Sequence, residues 1–518
     1  MFRKLSLENF KGFASEQTIE LKPITLIYGA NSSGKSSILQ SLLLMKQTLE
    51  QSNNPNAILL SKGKYIDLGN FNEFINNHDT NKKLKIRLDL PVINDRFMYR
   101  SQKNSKSIDI AVEIIYVQNK LLEIDQYNIY LNNESFISLK RTFDNIKAYS
   151  HRYYPRILRK QNNDIKKSNY EISNINYENE YFKKIYEYFL EQFPKNEDEK
   201  FLKNLGNREK NDEYQKYNKL RDFIINKEEK KIQEEIFKYC KRYIFNFTNF
   251  LPNICLRREQ IEESLIESLT PYILREKRLL PYIDDLVDIS AFIVSDVLSK
   301  IHYLGPLRKN PERYYVSSGN TSDYVGKTGL ESPDILYENE NNILNKTNKW
   351  LRKLTNYSIK PTATTRKTKD KGSQNVYSLR LVDAITNTNV NITDLGFGIS
   401  QILPIIVQSF KSNGDLILIE QPEIHIHPKL QAEMGSMFAE ACKNNMFIIE
   451  THSENLLLRL KKLVRTGKIS NDQISIIYVD KTEQGSVCCP IRLDDNGDFI
   501  DKWPKGFFEE NINELFDL

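Results

Sequence analysis

The stretch Ile24-Thr25-Leu26-Ile27-Tyr28-Gly29-Ala30-Asn31-Ser32-Ser33-Gly34-Lys35-Ser36 decides how the rest of the chain is read. An apolar, β-branched run ends abruptly in glycine, which predicts a buried strand feeding a loop. Beyond the loop, Ile38, Leu39, Leu42, Leu43 and Met45 recur at helical spacing, so the loop joins that strand to a helix packed on its sheet. Gly29 to Ser36 matches G-x-x-x-x-G-K-[ST] at every fixed position. In this setting glycines let backbone N–H groups turn inward around a phosphate, and the helix N-terminus adds its dipole. The candidate nucleotide-binding residues are therefore Gly29, Asn31, Ser32, Ser33, Gly34, Lys35, Ser36 and Ser37. Lys35 is expected to reach the β and γ phosphates of ATP, and the Ser36 hydroxyl to complete a Mg²⁺ shell.

Three later segments look like further parts of one nucleotide site. Leu416-Ile417-Leu418-Ile419-Glu420-Gln421-Pro422-Glu423 is an apolar strand that ends in carboxylates. Acid delivered to the C-terminal edge of a sheet is where a magnesium ligand must stand, and Glu420 is the expected one. Phe447-Ile448-Ile449-Glu450-Thr451-His452-Ser453 is another strand with a histidine at its exit, and His452 is placed to touch the γ-phosphate or the attacking water. Thr393-Asp394-Leu395-Gly396-Phe397-Gly398-Ile399-Ser400-Gln401 opens an apolar helix, Ile402 to Phe410, and Gly396, Gly398 and Ser400 form a second anion-binding helix start. One γ-phosphate does not need two such helix starts from one protomer. The second is expected to serve a nucleotide held by another copy, which predicts a dimer.

Working outward, the ends of the chain read as α/β, with strands and helices alternating from Leu416 to Val479. Between them, Leu84 to about Lys140 alternates with period two, as in Ile108, Ile110, Val112 and Ile114, and predicts an antiparallel β subdomain. Past Arg141 the chain turns charged and tyrosine-rich, and Leu220, Phe223, Ile224, Ile232, Ile236, Cys240, Tyr243 and Phe247 suggest a helical insertion. The expected division is 1–95 and 301–465 for the two parts of a P-loop head, 96–141 for the β-meander, 142–300 for the helical insertion, and 466–518 for a strand and tail.

Composition bounds the functions. With 518 residues, 40% hydrophobic and 27% charged, the chain suits a large core with an insertion, so a peptide-sized module is excluded. Its net charge of +6 is the difference of 74 basic and 68 acidic residues, too weak a field to demand DNA although it permits DNA. The longest apolar runs are strand-length where a membrane span takes about 20 residues, and Met1 to Glu8 lack a signal-peptide core, so a cytoplasmic protein with no membrane partner is expected. The five cysteines are scattered, and adjacent Cys488 and Cys489 lack the spacing of a zinc site. His425 and His427 lack further ligands, Asp494 to Asp498 reads as a surface turn, and Trp503, Phe507 and Phe508 read as docked on the body.

Together the four motifs, in this order, resemble the ABC-type ATPases of the SMC, RecF and OLD group. Leu7-Glu8-Asn9-Phe10-Lys11-Gly12-Phe13, Asp67 to Phe71 and Gly305-Pro306-Leu307-Arg308 also look like parts of that group. The text around Gly396 to Pro404 and Glu420 to Pro428 is similar to OLD-like ATPases of bacterial antiviral systems, among them the ATPase of the Septu system, which works beside an HNH nuclease. The resemblance covers roughly Met1 to Leu90 and His302 to Leu518. It implies an ABC-type ATPase head that closes as an ATP-sandwich dimer or higher oligomer, the Gly396 to Gln401 signature of one copy meeting the Gly29 to Ser36 loop of the other. It also implies a separate nuclease partner, because the stretch Ser453 to Leu518 is short for the Toprim domain of OLD nucleases. In such enzymes a Glu usually follows the strand-end acid as general base, whereas Gln421 stands here. An amide cannot accept that proton, so slow hydrolysis is expected, with Glu423 or His452 giving what remains. A repair or chromosome-maintenance clamp and a nucleotide-locked scaffold are the alternative roles. A clamp needs long heptad arms, which Leu220 to Phe247 is too short to supply. A transporter motor fits poorly with the insertion and with the lack of a membrane segment.

Overall fold

The computed structural model describes residues 2–52, 58–91, 93–94, 107–119, 121–142, 169–180, 182–183, 186–187, 190, 212–241, 243–257, 281–317, 319, 322–338, 342–365, 375–395 and 397–504. The chain forms two compact units: residues 1–47, 62–78 and 297–518 make the first, and 48–61 with 79–296 the second. It is a mixed α/β protein in which a parallel sheet and antiparallel sheets occupy different stretches of sequence.

The first unit is organised by a six-stranded sheet in the order Ile301–Leu304, Leu416–Glu420, Met446–Glu450, Ile24–Tyr28, Ile474–Thr482, Gly485–Pro490. Every neighbouring pair is parallel except the last, a hairpin. Strands covered on both faces need apolar side chains in both directions. Ile24–Tyr28 is buried at every position, and in Leu416–Glu420 only the terminal glutamate escapes full burial. The helices Pro428–Ala441 and Glu454–Arg465 cross over between strands of this sheet, while Lys35–Gln51 follows one of its strands and Phe397–Lys411 precedes another. The apolar faces of Phe397–Lys411, Pro428–Ala441 and Glu454–Arg465 supply Leu403, Ile406, Met434, Met437, Leu456 and Leu460 to the core. Because the strands run parallel, the turns after Tyr28, Glu420 and Glu450 emerge at the same edge. Gly29, Gln421 and Thr451 are thus brought together from distant sequence, the place where open parallel sheets bind ligands.

A smaller antiparallel sheet pairs Tyr357–Thr365 with Asn375–Asp383, flanked by Asn389–Asn391 and Tyr315–Val316. Asn391 leads from it into the signature helix by accepting a bond from Thr393 N–H and capping the turn Ile392–Asp394. Trp503 docks edge-on against Tyr28, Tyr478 and Phe499, with ring centroids 5.7, 6.0 and 5.4 Å away. Asp494 Oδ1 accepts bonds from the N–H groups of Asn496 and Asp498 in a turn. Phe507 and Phe508 lie outside the described residues.

The second unit is built on successive antiparallel strands: Leu84–Asp89, Ile110–Gln118, Leu122–Leu131, Glu134–Thr142, Asn169–Ile175, Tyr243–Thr248 and Leu251–Arg257. The β pattern thus continues far beyond Lys140. The stripe read as helical from Leu220 to Phe247 is in fact two helices and a strand. Asp212–Ile225 ends at a turn where Lys227 has φ +55°, Glu229–Cys240 follows, and Tyr243 and Phe247 lie on Tyr243–Thr248. The last segment, Tyr-Ile-Phe-Asn-Phe-Thr, is aromatic and β-branched, so it pairs as a strand and sets Phe247 against the rings of Tyr170 and Tyr127 at 4.5 and 5.7 Å. Its apolar residues continued the helical spacing by coincidence.

Among the described residues, no helix is long and apolar enough to cross a membrane.

Candidate functional site: a phosphate loop facing three carboxylates

The loop after Ile24–Tyr28 takes a shape that only its glycines permit. Gly29 has φ +145°, and a Cβ there would lie 2.3 Å from the carbonyl oxygen of Val479 on the adjacent strand. Gly34 has φ +108°, and its Cβ would meet Ser486 Oγ at 2.8 Å. Asn31 and Ser32 form the exposed crest of the loop, whereas Ser33, Lys35 and Ser37 are buried. Ser486, on the hairpin strand Gly485–Pro490, braces the loop from behind: its Oγ donates to Ser33 O at 2.6 Å and its N–H to Gly12 O at 2.7 Å.

Lys35 opens the helix Lys35–Gln51 and folds back on the loop, donating to Gly29 O at 3.0 Å and Ala30 O at 2.8 Å. Burial holds its ammonium below the usual lysine range, while Glu450 and Glu423 oppose that shift. Carbonyl bonds of this kind can be exchanged for phosphate oxygens, which offer a stronger, charged acceptor. The Ser33 hydroxyl is buried with no hydrogen-bond partner, a group for which a phosphate oxygen would serve.

Three carboxylates face this loop, each in a different condition. Glu420 ends the strand Leu416–Glu420 and accepts a bond from Tyr303 Oη at 2.9 Å. Burial raises its carboxyl above the ordinary range, against the pull of Tyr303, Lys327 and Arg308. The following backbone is strained: Gln421 has φ +44° without being glycine. Arg308 secures that turn by donating to Glu420 O at 2.9 Å and Gln421 O at 3.3 Å, and Gln421 N–H donates to Glu450 O at 2.7 Å.

Glu423 has both oxygens engaged, receiving Thr451 Oγ1 at 2.7 Å and the His452 N–H at 2.7 Å. It ties the turn after one strand to the turn after the next, fixing where His452 stands. Ser453 then caps Glu454–Arg465 by accepting from Leu456 N–H. Burial first, then Lys35, holds the His452 ring below the usual histidine range, so it is neutral at neutral pH.

Glu450 was not singled out in the sequence, and it is the acid that touches the loop. Ser36 Oγ donates to its Oε1 at 3.0 Å, while Oε2 is buried without a partner on a side chain 5% exposed. Burial and the nearby Glu420 push its carboxyl up to about 7. These residues fit a magnesium ion, because a buried carboxylate oxygen with no donor beside a serine hydroxyl is the hard oxygen donor set such an ion takes. Among the described residues no three His, Cys, Asp or Glu side chains converge as a metal cage. An ion here would complete its shell from phosphate oxygens and water.

In the signature segment, Gly396 lies outside the described residues. A Cβ on Gly398 would come 3.3 Å from His425 O, and Ser400 is buried in the first turns of Phe397–Lys411. His427 caps Pro428–Ala441 by accepting from Lys429 N–H, a structural task that accounts for it without a metal. The loop residues, Glu420, Gln421, Glu423 and His452 therefore share one sheet edge. The acid Glu450 and the supports Tyr303, Arg308, Thr451 and Ser486 were missed. Tyr303 and Arg308 flank the Gly305-Pro306 turn, where a cation after a buried strand was the available signal.

The profile of the AAA ATPase domain family (AAA_15) matches residues 1–457, and that of a family described as a protein of unknown function (DUF3696) matches residues 469–518. None of the curated proteins matches the chain. Similar solved structures include an Smc head bound to the C-terminal winged-helix domain of ScpA, 11% identical at TM-score 0.38 over 95% of this chain and 98% of that one. An Smc head with an extended coiled coil, bound to the C-terminal domain of ScpA and derived from Pyrococcus furiosus, is 11% identical at TM-score 0.35 over 100% and 98%. The SMC head domain of Thermotoga maritima is 9% identical at TM-score 0.34 over 95% and 99%.

Proposed function

We propose, on the premise that this chain belongs to the AAA ATPase domain family, that it is an ABC-type ATPase which binds Mg²⁺-ATP at Gly29 to Ser37 and dimerises around it. The observation that carries the reading is the phosphate loop of strained glycines, with Lys35 and Ser36 at a sheet edge where Glu420, Glu423 and His452 also stand. Ser36 and Glu420 would hold the cation side of the nucleotide, where Mg²⁺, when bound, would offset charge on the phosphates. Lys35 releases its loop carbonyls to meet phosphate oxygens. Gly396, Gly398 and Ser400 of a second copy approach the γ-phosphate.

Hydrolysis is slow in this reading. Gln421 cannot take a proton, and Glu423 is committed to Thr451 and His452. His452, whose ring burial and Lys35 hold below the usual histidine range, is the remaining candidate to accept a proton from water. ATP acts mainly as a lock between copies. In the wider role, supported by the resemblance around Gly396 to Pro404 and Glu420 to Pro428, the locked dimer governs an antiviral complex in the cytoplasm. The nuclease, of HNH type, is supplied in trans.

Phosphate release by the native chain and by Gln421→Glu tests the first part, and sedimentation with and without Mg²⁺-ATP, against Lys35→Ala, tests the second. We expect turnover to rise roughly tenfold or more with Gln421→Glu. We also expect a nucleotide-dependent mass increase that Lys35→Ala abolishes. Fast native turnover with no gain from the variant would refute the slow-hydrolysis reading, and equal masses in every state the shared site.

A further inference from the structure

Glu450 stands beside the proposed nucleotide and has no part in the reaction described above. We infer that Glu450 is itself a ligand of the nucleotide's divalent cation, with Oε1 orienting the Ser36 hydroxyl and Oε2 bonding the metal. The inference rests on the nucleotide reading of the Gly29 to Ser36 loop and extends it to a residue on a different strand from Glu420.

Four observations converge. Ser36, the hydroxyl of the phosphate loop, is hydrogen-bonded to Glu450 at 3.0 Å. Glu450 Oε2 has no partner although its side chain is only 5% exposed, and a buried carboxylate oxygen left without donor or cation is costly. Lys35 acts on Glu450 only through its charge, since its Nζ hydrogen bonds go to Gly29 O and Ala30 O. Glu420, which the parallel register sets directly beside Glu450, is already served by Tyr303, with Arg308 bonded to the backbone of its turn. Glu450 therefore sits among like charges with an oxygen to spare, an arrangement that a hard divalent cation completes. The strand Met446–Glu450 lies between the loop strand and the Glu420 strand, so of these two glutamates Glu450 is the one whose strand adjoins the loop strand.

The test uses the full chain and titrates a fluorescent ATP analogue in EDTA and in excess Mg²⁺, for the native protein, Glu450→Gln and Glu450→Asp. Manganese bound in the presence of nucleotide, counted by electron paramagnetic resonance, gives a readout independent of turnover. Mg²⁺ should tighten native binding, and Glu450→Gln should lose roughly 10- to 100-fold of that gain while keeping its affinity in EDTA. Glu450→Asp should fall between them, and bound Mn²⁺ should drop in step. Native Mg²⁺ dependence in both variants, or in Glu450→Asp if Glu450→Gln fails to fold, would overturn the inference and leave the nucleotide site standing. Absence of nucleotide binding by the native chain in either condition would overturn both.

Discussion

Two neighbouring strands of the same sheet end in glutamate, and the register sets Glu420 directly beside Glu450. Their surroundings differ. The end of Leu416–Glu420 is knitted to the protein: Tyr303 bonds the carboxylate, Arg308 bonds two carbonyls of the turn, and Glu423 is saturated by the next turn. The end of Met446–Glu450 keeps one carboxylate oxygen unserved and bonds only the loop serine with the other. The first uses most of its bonds to hold a strained backbone still, whereas the second leaves a buried carboxyl oxygen for something outside the protein. In proteins the latter condition collects at functional sites, because it is tolerated only where a ligand repays it.

Substitutions should therefore act with opposite signs at the two ends. The largest effect is expected from Arg308→Ala, which strips two carbonyls beside the strained Gln421 and empties the space of a buried guanidinium. It should destabilise the chain by about 3 kcal/mol in urea unfolding, and a loss under about 1 kcal/mol would show that the turn holds itself.

Glu450→Gln should do the reverse in the metal-free protein. With the folded carboxyl near 7 and the ordinary value at 4.5, the folded state keeps a proton that the unfolded chain releases. Stability contributed by this group is thus present below about pH 4.5 and lost as pH rises towards 7. Glu450→Gln should flatten that slope and raise stability at pH 8 by about 2 kcal/mol. Melting curves in EDTA from pH 4.5 to 8 check this; a native profile that does not fall over that window would erase the contrast between the two ends. The smallest effect, about 1 kcal/mol of destabilisation, belongs to Tyr303→Phe, which removes one hydroxyl donor from Glu420. A change of Mg²⁺-ATP affinity as large as that of Glu450→Gln would make Glu420 no lesser a metal contact than Glu450.

Much of this was legible in the sequence where local pattern carries it. The loop, the Glu420 strand and the His452 turn each announce themselves within about ten residues, because an apolar run followed by special backbone or charge has few other uses. Glu450 was not so marked. At the end of a buried strand it reads as the first residue of an exit, and its partner Ser36 lies 414 positions away. Arg308 and Tyr303 were missed for the same reason, since their bonds reach Gln421 and Glu420 across 113 and 117 positions. The second unit shows another limit. Tyr243 and Phe247 continue a helical spacing by coincidence, and pairing with Leu251–Arg257 overrides it.

The strand that carries the phosphate loop pairs on one side with Met446–Glu450 and on the other with Ile474–Thr482, and the loop is braced by Ser486. The loop strand is therefore synthesised long before either of the strands that flank it. Until they emerge Ile24–Tyr28 is an apolar strand with neither neighbour in place, an adhesive segment during synthesis.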